Sequence, residues 1–308
     1  IDADGTDLFL FDIGFRENSR SFSQELQFSN TSPDRLEWVV GMFFLNEDGD
    51  GGIDILFQNP KINIPERNVT NAYALFGQAT YNVTDRLRTT AGIRYSYEKK
   101  SYGFSTVVNG AEVDSGSPSA DWEAWTPRFA VDFDINDDVM AYVSASRGYK
   151  SGGFQLGDAG SFDPEYLWSY EAGLKSTLFD RRLRANIGVF NYDYTNLQVV
   201  EFVGGVATTS NAGKAKIKGV EAEFVARVAN GFDLNATIAY LDAKYDVFFE
   251  GGEDFSGNRL ANSPEWAYSF GAQYAADIGA LGHLTIRGDF AWRDTVDFKR
   301  NNLPQFRS

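Results

Sequence analysis

Apolar and polar residues alternate one by one over stretches of ten residues and more, and this period-2 pattern constrains the fold more than any other feature of the chain. In residues 87–98, Leu87, Thr89, Ala91, Ile93, Tyr95 and Tyr97 fall on one face, while Arg88, Thr90, Gly92, Arg94, Ser96 and Glu98 fall on the other. Residues 125–135, 266–274 and 284–292 repeat it, with Trp125, Phe129, Val131 and Phe133, then Trp266, Tyr268 and Phe270, then Leu284, Ile286, Phe290 and Trp292 sharing a side. A helix would scatter these residues around its surface; a strand gathers them. The test predicts about twelve strands, near 20–29, 36–46, 69–82, 87–99, 122–134, 139–147, 168–178, 183–200, 214–229, 233–242, 264–276 and 283–293. Several exceed the ~5–6 residues usual in soluble sheets. They match the ~9–11 tilted residues that cross a hydrocarbon layer.

The connections carry a second signal. Short ones at 30–35, 82–86, 136–138, 179–182, 229–231 and 277–282 alternate with long ones at 47–68, 100–121, 148–167, 201–213 and 243–263. Tight turns on one rim and extended loops on the other are the organisation of an outer-membrane barrel. The spacing of the turns also admits a kelch-type propeller, but each unit then needs four short strands and a repeated signature. Alternation alone leaves open which face is inside, so a soluble β-propeller or barrel with a binding role stays as an alternative.

Composition narrows this further. Aromatics are 15% of the chain and Gly numbers 30 against 8 Pro, which suits strands joined by Gly, Asn and Asp turns. The longest apolar runs, such as residues 38–45, fall short of the ~18 residues of a spanning helix. A membrane encounter therefore means a barrel. The formal charge of −15 brings no basic stripe, which argues against nucleic acid as a partner. With no Cys, disulfides and thiolate metal sites are excluded. The chain opens Ile1-Asp2-Ala3-Asp4 and closes on Gln305-Phe306-Arg307-Ser308, ends that read as cuts within a longer protein. The expectation is an open barrel segment whose edge strands, near 20–29 and 283–293, pair with portions outside it.

Several segments resemble one known family. Residues 126–133 (TPRFAVDF) followed by 141–154 (AYVSASRGYKSGGF), residues 169–176 (SYEAGLKS) followed by 184–194 (RANIGVFNYDY), and residues 211–223 (NAGKAKIKGVEAE) are similar to hallmarks of TonB-dependent receptors. Residues 22–27 (FSQELQ) and 262–266 (NSPEW) add weaker support, so the matches run from about residue 21 to 293. The resemblance implies a transmembrane antiparallel β-barrel of the Gram-negative outer membrane, with residues 1–308 forming a single domain, the middle of a 22-stranded barrel. It implies that the N-terminal plug, the TonB box and the closing C-terminal strand lie outside this segment. It further implies a non-enzymatic receptor that takes up a scarce nutrient, a ferric siderophore first, then cobalamin or an oligosaccharide. The partners would be the TonB–ExbB–ExbD system through the absent plug, membrane lipid and lipopolysaccharide, and the small-molecule ligand. A passive porin-like channel is the alternative.

Individual sites say less. Asp48, Asp50 and Asp54 hint at a Ca²⁺ loop, but Gly52 and Asn59 stand where an EF-hand frame from Asp48 needs Asp or Asn and Glu, so a flexible acidic loop is expected. His283, the one histidine, begins a strand and cannot build a His-rich metal or Ser/His/Asp site alone. No catalytic, metal or cofactor residue is assigned. The sequons at Asn68, Asn82 and Asn235 are incidental in a bacterial barrel. Tyr102, Phe104, Trp122, Tyr149, Phe154 and Phe255 fit ligand contacts, loop anchors or an interfacial aromatic girdle.

Overall fold

The structure is a computed structural model that describes residues 11–30, 35–57, 59–203 and 206–308. In chain order its strands are β1 (Phe11–Ser29), β2 (Leu36–Phe57), β3 (Lys61–Asn82), β4 (Leu87–Val108), β5 (Ala111–Gly116), β6 (Ser119–Asn136), β7 (Val139–Lys150), β8 (Gly153–Phe154), β9 (Ser161–Phe162), β10 (Glu165–Leu178), β11 (Leu183–Val203), β12 (Val206–Ala229), β13 (Phe232–Val247), β14 (Phe249–Glu250), β15 (Glu253–Asp254), β16 (Trp266–Asp277) and β17 (His283–Arg293). One sheet runs β1-β2-β3-β4-β6-β7-β10-β11-β12-β13-β16-β17, with β5 hydrogen-bonded to β4 beside this path. Every neighbouring pair is antiparallel and follows in sequence, so hairpins alone build the sheet. All twelve expected strands are present, and four-stranded propeller blades are absent among the described residues. Within this sheet β1 and β17 each have a neighbour on one side only.

The register gathers the alternating residues into rows. Val131, Val143, Ala172, Val189, Val220, Tyr240 and Trp266 are successive cross-strand partners over seven strands on one face. One residue along, Asp132, Tyr142, Gly173, Gly188, Glu221, Ala239 and Ala267 make the matching row on the other face. Here the glycines have a packing role. A Cβ on Gly173 would meet the Tyr142 ring at 2.7 Å and the Ile187 carbonyl at 2.5 Å, so the missing side chain lets the ring lie flat on the sheet.

The apolar face is uncovered. Leu75, Ile93, Phe129, Val143, Leu174, Ile187, Ile238, Phe270 and Phe290 are all exposed on it. A contiguous apolar surface of this size has no stable place in water, where exposed patches rarely exceed a few hundred Å². Its rim away from the tight turns carries paired rings, Tyr95 on Trp125 at 4.8 Å, Tyr240 on Trp266 at 4.9 Å and Tyr268 on Trp292 at 4.9 Å. These form an interfacial aromatic girdle.

The long connections differ from expectation. Residues 47–57 and 61–68 continue β2 and β3 in register, and residues 100–108 continue β4. Ile53, Ile55, Ile62, Ile64, Tyr102, Phe104 and Thr106 supply the β-branched and aromatic side chains that extended pairing favours. The Asp48–Asp54 stretch is accordingly strand and not a flexible acidic loop. Asp48 is paired with Arg67 at 2.6 Å, outside the alternation of ligands a Ca²⁺ loop needs. The β4–β5 ribbon closes through Asn109 (φ 51°) and Gly110 (φ 85°), the left-handed pair that a two-residue hairpin of the right twist demands.

Candidate functional site

The polar face is the inside of the curved wall, and a strap proves it. Residues 151–163 leave the sheet after β7, and on the polar face they touch both β3 and β12, strands on opposite sides of their origin. A segment can reach both only across a concavity.

The site is built on the even-numbered face of β4. Past Tyr97, where the membrane-spanning part of this strand ends, that face presents Glu98, Lys100, Tyr102 and Phe104 toward the lumen. Tyr102 is 2% exposed and its ring is stacked between Phe104 at 5.5 Å and Phe154 of the strap at 5.6 Å. Trp122 of β6 lies against Phe154 at 6.2 Å. The Tyr102 hydroxyl accepts the Gly157 N–H at 2.8 Å and donates to Glu66 of β3 at 3.0 Å. Burial pushes its ionisation up, so it stays a neutral donor and acceptor.

Lys100 is the second anchor. Its Nζ donates to Ser151 Oγ at 2.5 Å and to the Gly152 carbonyl at 2.9 Å, above the Trp122 ring at 5.7 Å. Desolvation by burial lowers its pKa, opposed by the Glu98 carboxylate 3.9 Å away.

The far side of the strap is tied by amides. The Gln155 side chain donates to the Thr209 carbonyl and accepts the Thr209 N–H at 3.0 Å. Asn211 exchanges two bonds of 2.9 Å with the Asp163 backbone, and Gln198 donates to the Ser151 and Asp163 carbonyls at 2.9 and 3.1 Å. Side chains thus satisfy backbone groups that a surface loop would leave to water. Beside the strap, Leu156 roofs a cavity of about 370 Å³ whose lumen-facing lining includes Glu47, Glu66, Asn68 and Thr70. A larger apolar groove around Leu26, Met42, Tyr73 and Leu75 opens on the uncovered face and belongs to the membrane contact.

Four of the six singled-out aromatics, Tyr102, Phe104, Trp122 and Phe154, therefore meet in one cluster. Phe255 packs elsewhere, with Phe248 and Tyr245 in a small core of the outer connections. Tyr149 stands with Tyr166 at 5.6 Å. His283 begins β17 opposite Asp277 and is exposed, remote from the cluster. Lys100, Glu66 and Gln155 belong to the site without being among the residues that the sequence marks out. Carrying the β4 alternation past Lys99 would have found Lys100; nothing local marks Gln155, whose partner is 54 residues away.

Comparison with known proteins agrees with this architecture. A family model described as TonB dependent receptor-like, beta-barrel, matches residues 3–306. The metal-pseudopaline receptor CntO of Pseudomonas aeruginosa is 27% identical over 219 residues, 68% of this chain and 30% of the relative. The pesticin receptor of Yersinia enterocolitica is 28% identical over 200 residues, 63% of this chain and 28% of the relative. The crystal structure of the ferric yersiniabactin uptake receptor FyuA from Yersinia pestis superposes with a TM-score of 0.84 at 20% identity, covering 96% of this chain and 46% of that one. The chain thus spans under half the length of these proteins. With hairpin-only topology, an uncovered apolar face ringed by aromatics and a family match over nearly its full length, the chain belongs to the TonB-dependent receptors, non-enzymatic proteins of the outer membrane, as part of their β-barrel.

Proposed function

We propose that this chain forms the ligand-gathering part of a receptor for TonB-energised uptake of a metal–chelator complex, a ferric siderophore first. The observation that carries this reading is the strap at the lumen mouth, held on one flank by Lys100 and Tyr102 and on the other by Gln155, over a polar cavity. Such a tied roof suits a receptor that holds its ligand and releases it inward; it does not suit an always-open pore. The names of several relatives support the same class, among them a metal-pseudopaline receptor, a ferripyoverdine receptor and the ferric yersiniabactin uptake receptor. Coupling to TonB, ExbB and ExbD would run through a plug outside this segment.

The test is uptake of radiolabelled ferric siderophores by iron-starved cells with and without the receptor gene, in the presence or absence of tonB. The expected result is saturable uptake lost in both mutants. Uptake that needs the receptor and is indifferent to tonB would replace this reading with a passive channel.

A further inference from the structure

We propose that the extracellular half of the wall parts between β6 and β7, about a hinge at Pro127, with Arg147 as the latch that holds the two sides together. At the other junctions of the sheet, pairing runs to the end of one strand or one residue short of it. β6 and β7 break this rule. Their last rung joins Arg128 to Ser146, yet β6 goes on along β4 as far as Ser119, and β7 goes on along β10 as far as Lys150. The next rung would join Pro127 to Arg147. The Trp125 and Glu123 carbonyls accept bonds from β7 and β10 side chains, so odd-numbered residues of β6 turn their backbone groups toward β7. Pro127 therefore faces β7 where the ladder requires an N–H, and proline has none.

Above Pro127 side chains replace the ladder. Arg147 Nη1 donates to the Trp125 carbonyl at 3.3 Å, and its guanidinium lies 4.3 Å from the centre of the Tyr166 ring. The Tyr166 hydroxyl donates to the Glu123 carbonyl at 3.4 Å. On the lumen side Lys100 holds Ser151 and Gly152, the first residues beyond β7, and Trp122 meets Phe154. A seam closed by so few bonds is the weakest line in the wall. Arg147 Nε and the Tyr149 hydroxyl are buried without a hydrogen-bond partner among the described residues. Parting gives both to water, which offsets part of what the broken bonds cost. Below Pro127 the ladder is kept, so the membrane-spanning half stays closed. The strap leaves with β7, since its ties to Lys100 and Tyr102 cross the seam and its tie to Thr209 does not. A mouth widened in this way admits ligands larger than the roofed cavity of about 370 Å³. That consequence rests on the receptor reading; the parting itself needs no ligand.

The experiment uses the full receptor in bilayers without ligand, so its failure is distinct from a failure of TonB-dependent uptake. One pair of nitroxides replaces Lys99 and Lys150, exposed on either side of the seam. A second pair replaces Arg86 and Asp138, exposed at the feet of the same two strands below the hinge. Double electron–electron resonance should give a distribution extending to longer distances for the upper pair and one narrow distance for the lower pair. Arg147→Ala should raise the ratio of long to short upper distances about tenfold, the worth of a charged hydrogen bond. Tyr166→Phe should shift it the same way by less. Pro127→Thr supplies the missing N–H and should move the upper pair to the short distance. Heat-modifiable gel mobility reports whether each variant is folded; if Arg147→Ala is not, Tyr166→Phe carries the test. One narrow upper distance, the same in wild type and every variant, overturns the proposal, as does equal broadening of the upper and lower pairs.

Discussion

Ile93→Arg in the full receptor should lower the stability of the barrel in bilayers by about 2–4 kcal/mol, the cost of a guanidinium at a lipid-facing midplane position. Ile93 is 49% exposed on the apolar face, with Gly77 and Pro127 as cross-strand partners. Its neighbour Arg94 points the other way, its guanidinium 5.6 Å from each of the Phe43 and Phe76 rings and its Nε donating to Ser96 at 3.1 Å. Arg94→Gln gives up those ring contacts, worth about 0.5–1 kcal/mol apiece at solvated sites. Denaturant unfolding of the reconstituted protein checks the contrast. Equal tolerance at the two positions would mean that neither face meets hydrocarbon.

Tyr102→Ala is the second large effect. Removing a ring this buried from between Phe104 and Phe154 should cost about 3–5 kcal/mol, concentrated in the strap that rests on it. Amide hydrogen exchange at residues 151–163 should accelerate accordingly. Tyr102→Phe keeps the stack and removes the oxygen between Gly157 and Glu66. It strands a donor at a cost of about 1–3 kcal/mol, so exchange should quicken at Gly157 and less elsewhere. Unaltered protection in Tyr102→Ala would show that the strap does not depend on β4.

Much of this molecule was legible in its sequence because the membrane enforces a strict period. Where one face must be apolar and the other polar, as from Leu87 to Tyr97, the pattern writes both the strand and its sides. The tight turn at Asn230-Gly231 is as clear, because Asn and Gly are the residues a short turn favours and Gly231 takes the left-handed φ of 75°; the run Phe179–Arg181, at φ of 57°, 55° and 64°, adopts the same region without a residue type that announces it. Above the girdle that selection relaxes. Gly49, Gly51 and Gly52 sit inside β2, and composition reads them as loop although their neighbours β1 and β3 hold them extended in register. The strap was invisible for another reason: its ties, such as Lys100 to Ser151 and Gln155 to Thr209, join residues 51 and 54 positions apart, which no local pattern encodes. The aromatic cluster lay between these cases. Its members stand out as aromatics in the sequence, but their common face does not, because β4 runs on past Lys99 to Val108 through residues that composition reads as a connection.

Odd-numbered residues of β4 up to Tyr97 face lipid and even-numbered residues face the lumen, an arrangement that single cysteines at positions 93 and 94 can report. The chain has no native Cys, so each replacement reports alone. In the folded receptor in bilayers, a lipid-embedded quencher should reach a fluorophore at position 93 and not one at 94, while a water-soluble thiol reagent should label 94 in preference to 93. Labelling of 93 by the water-soluble reagent, with 94 protected from it, would contradict the assignment and the membrane barrel with it.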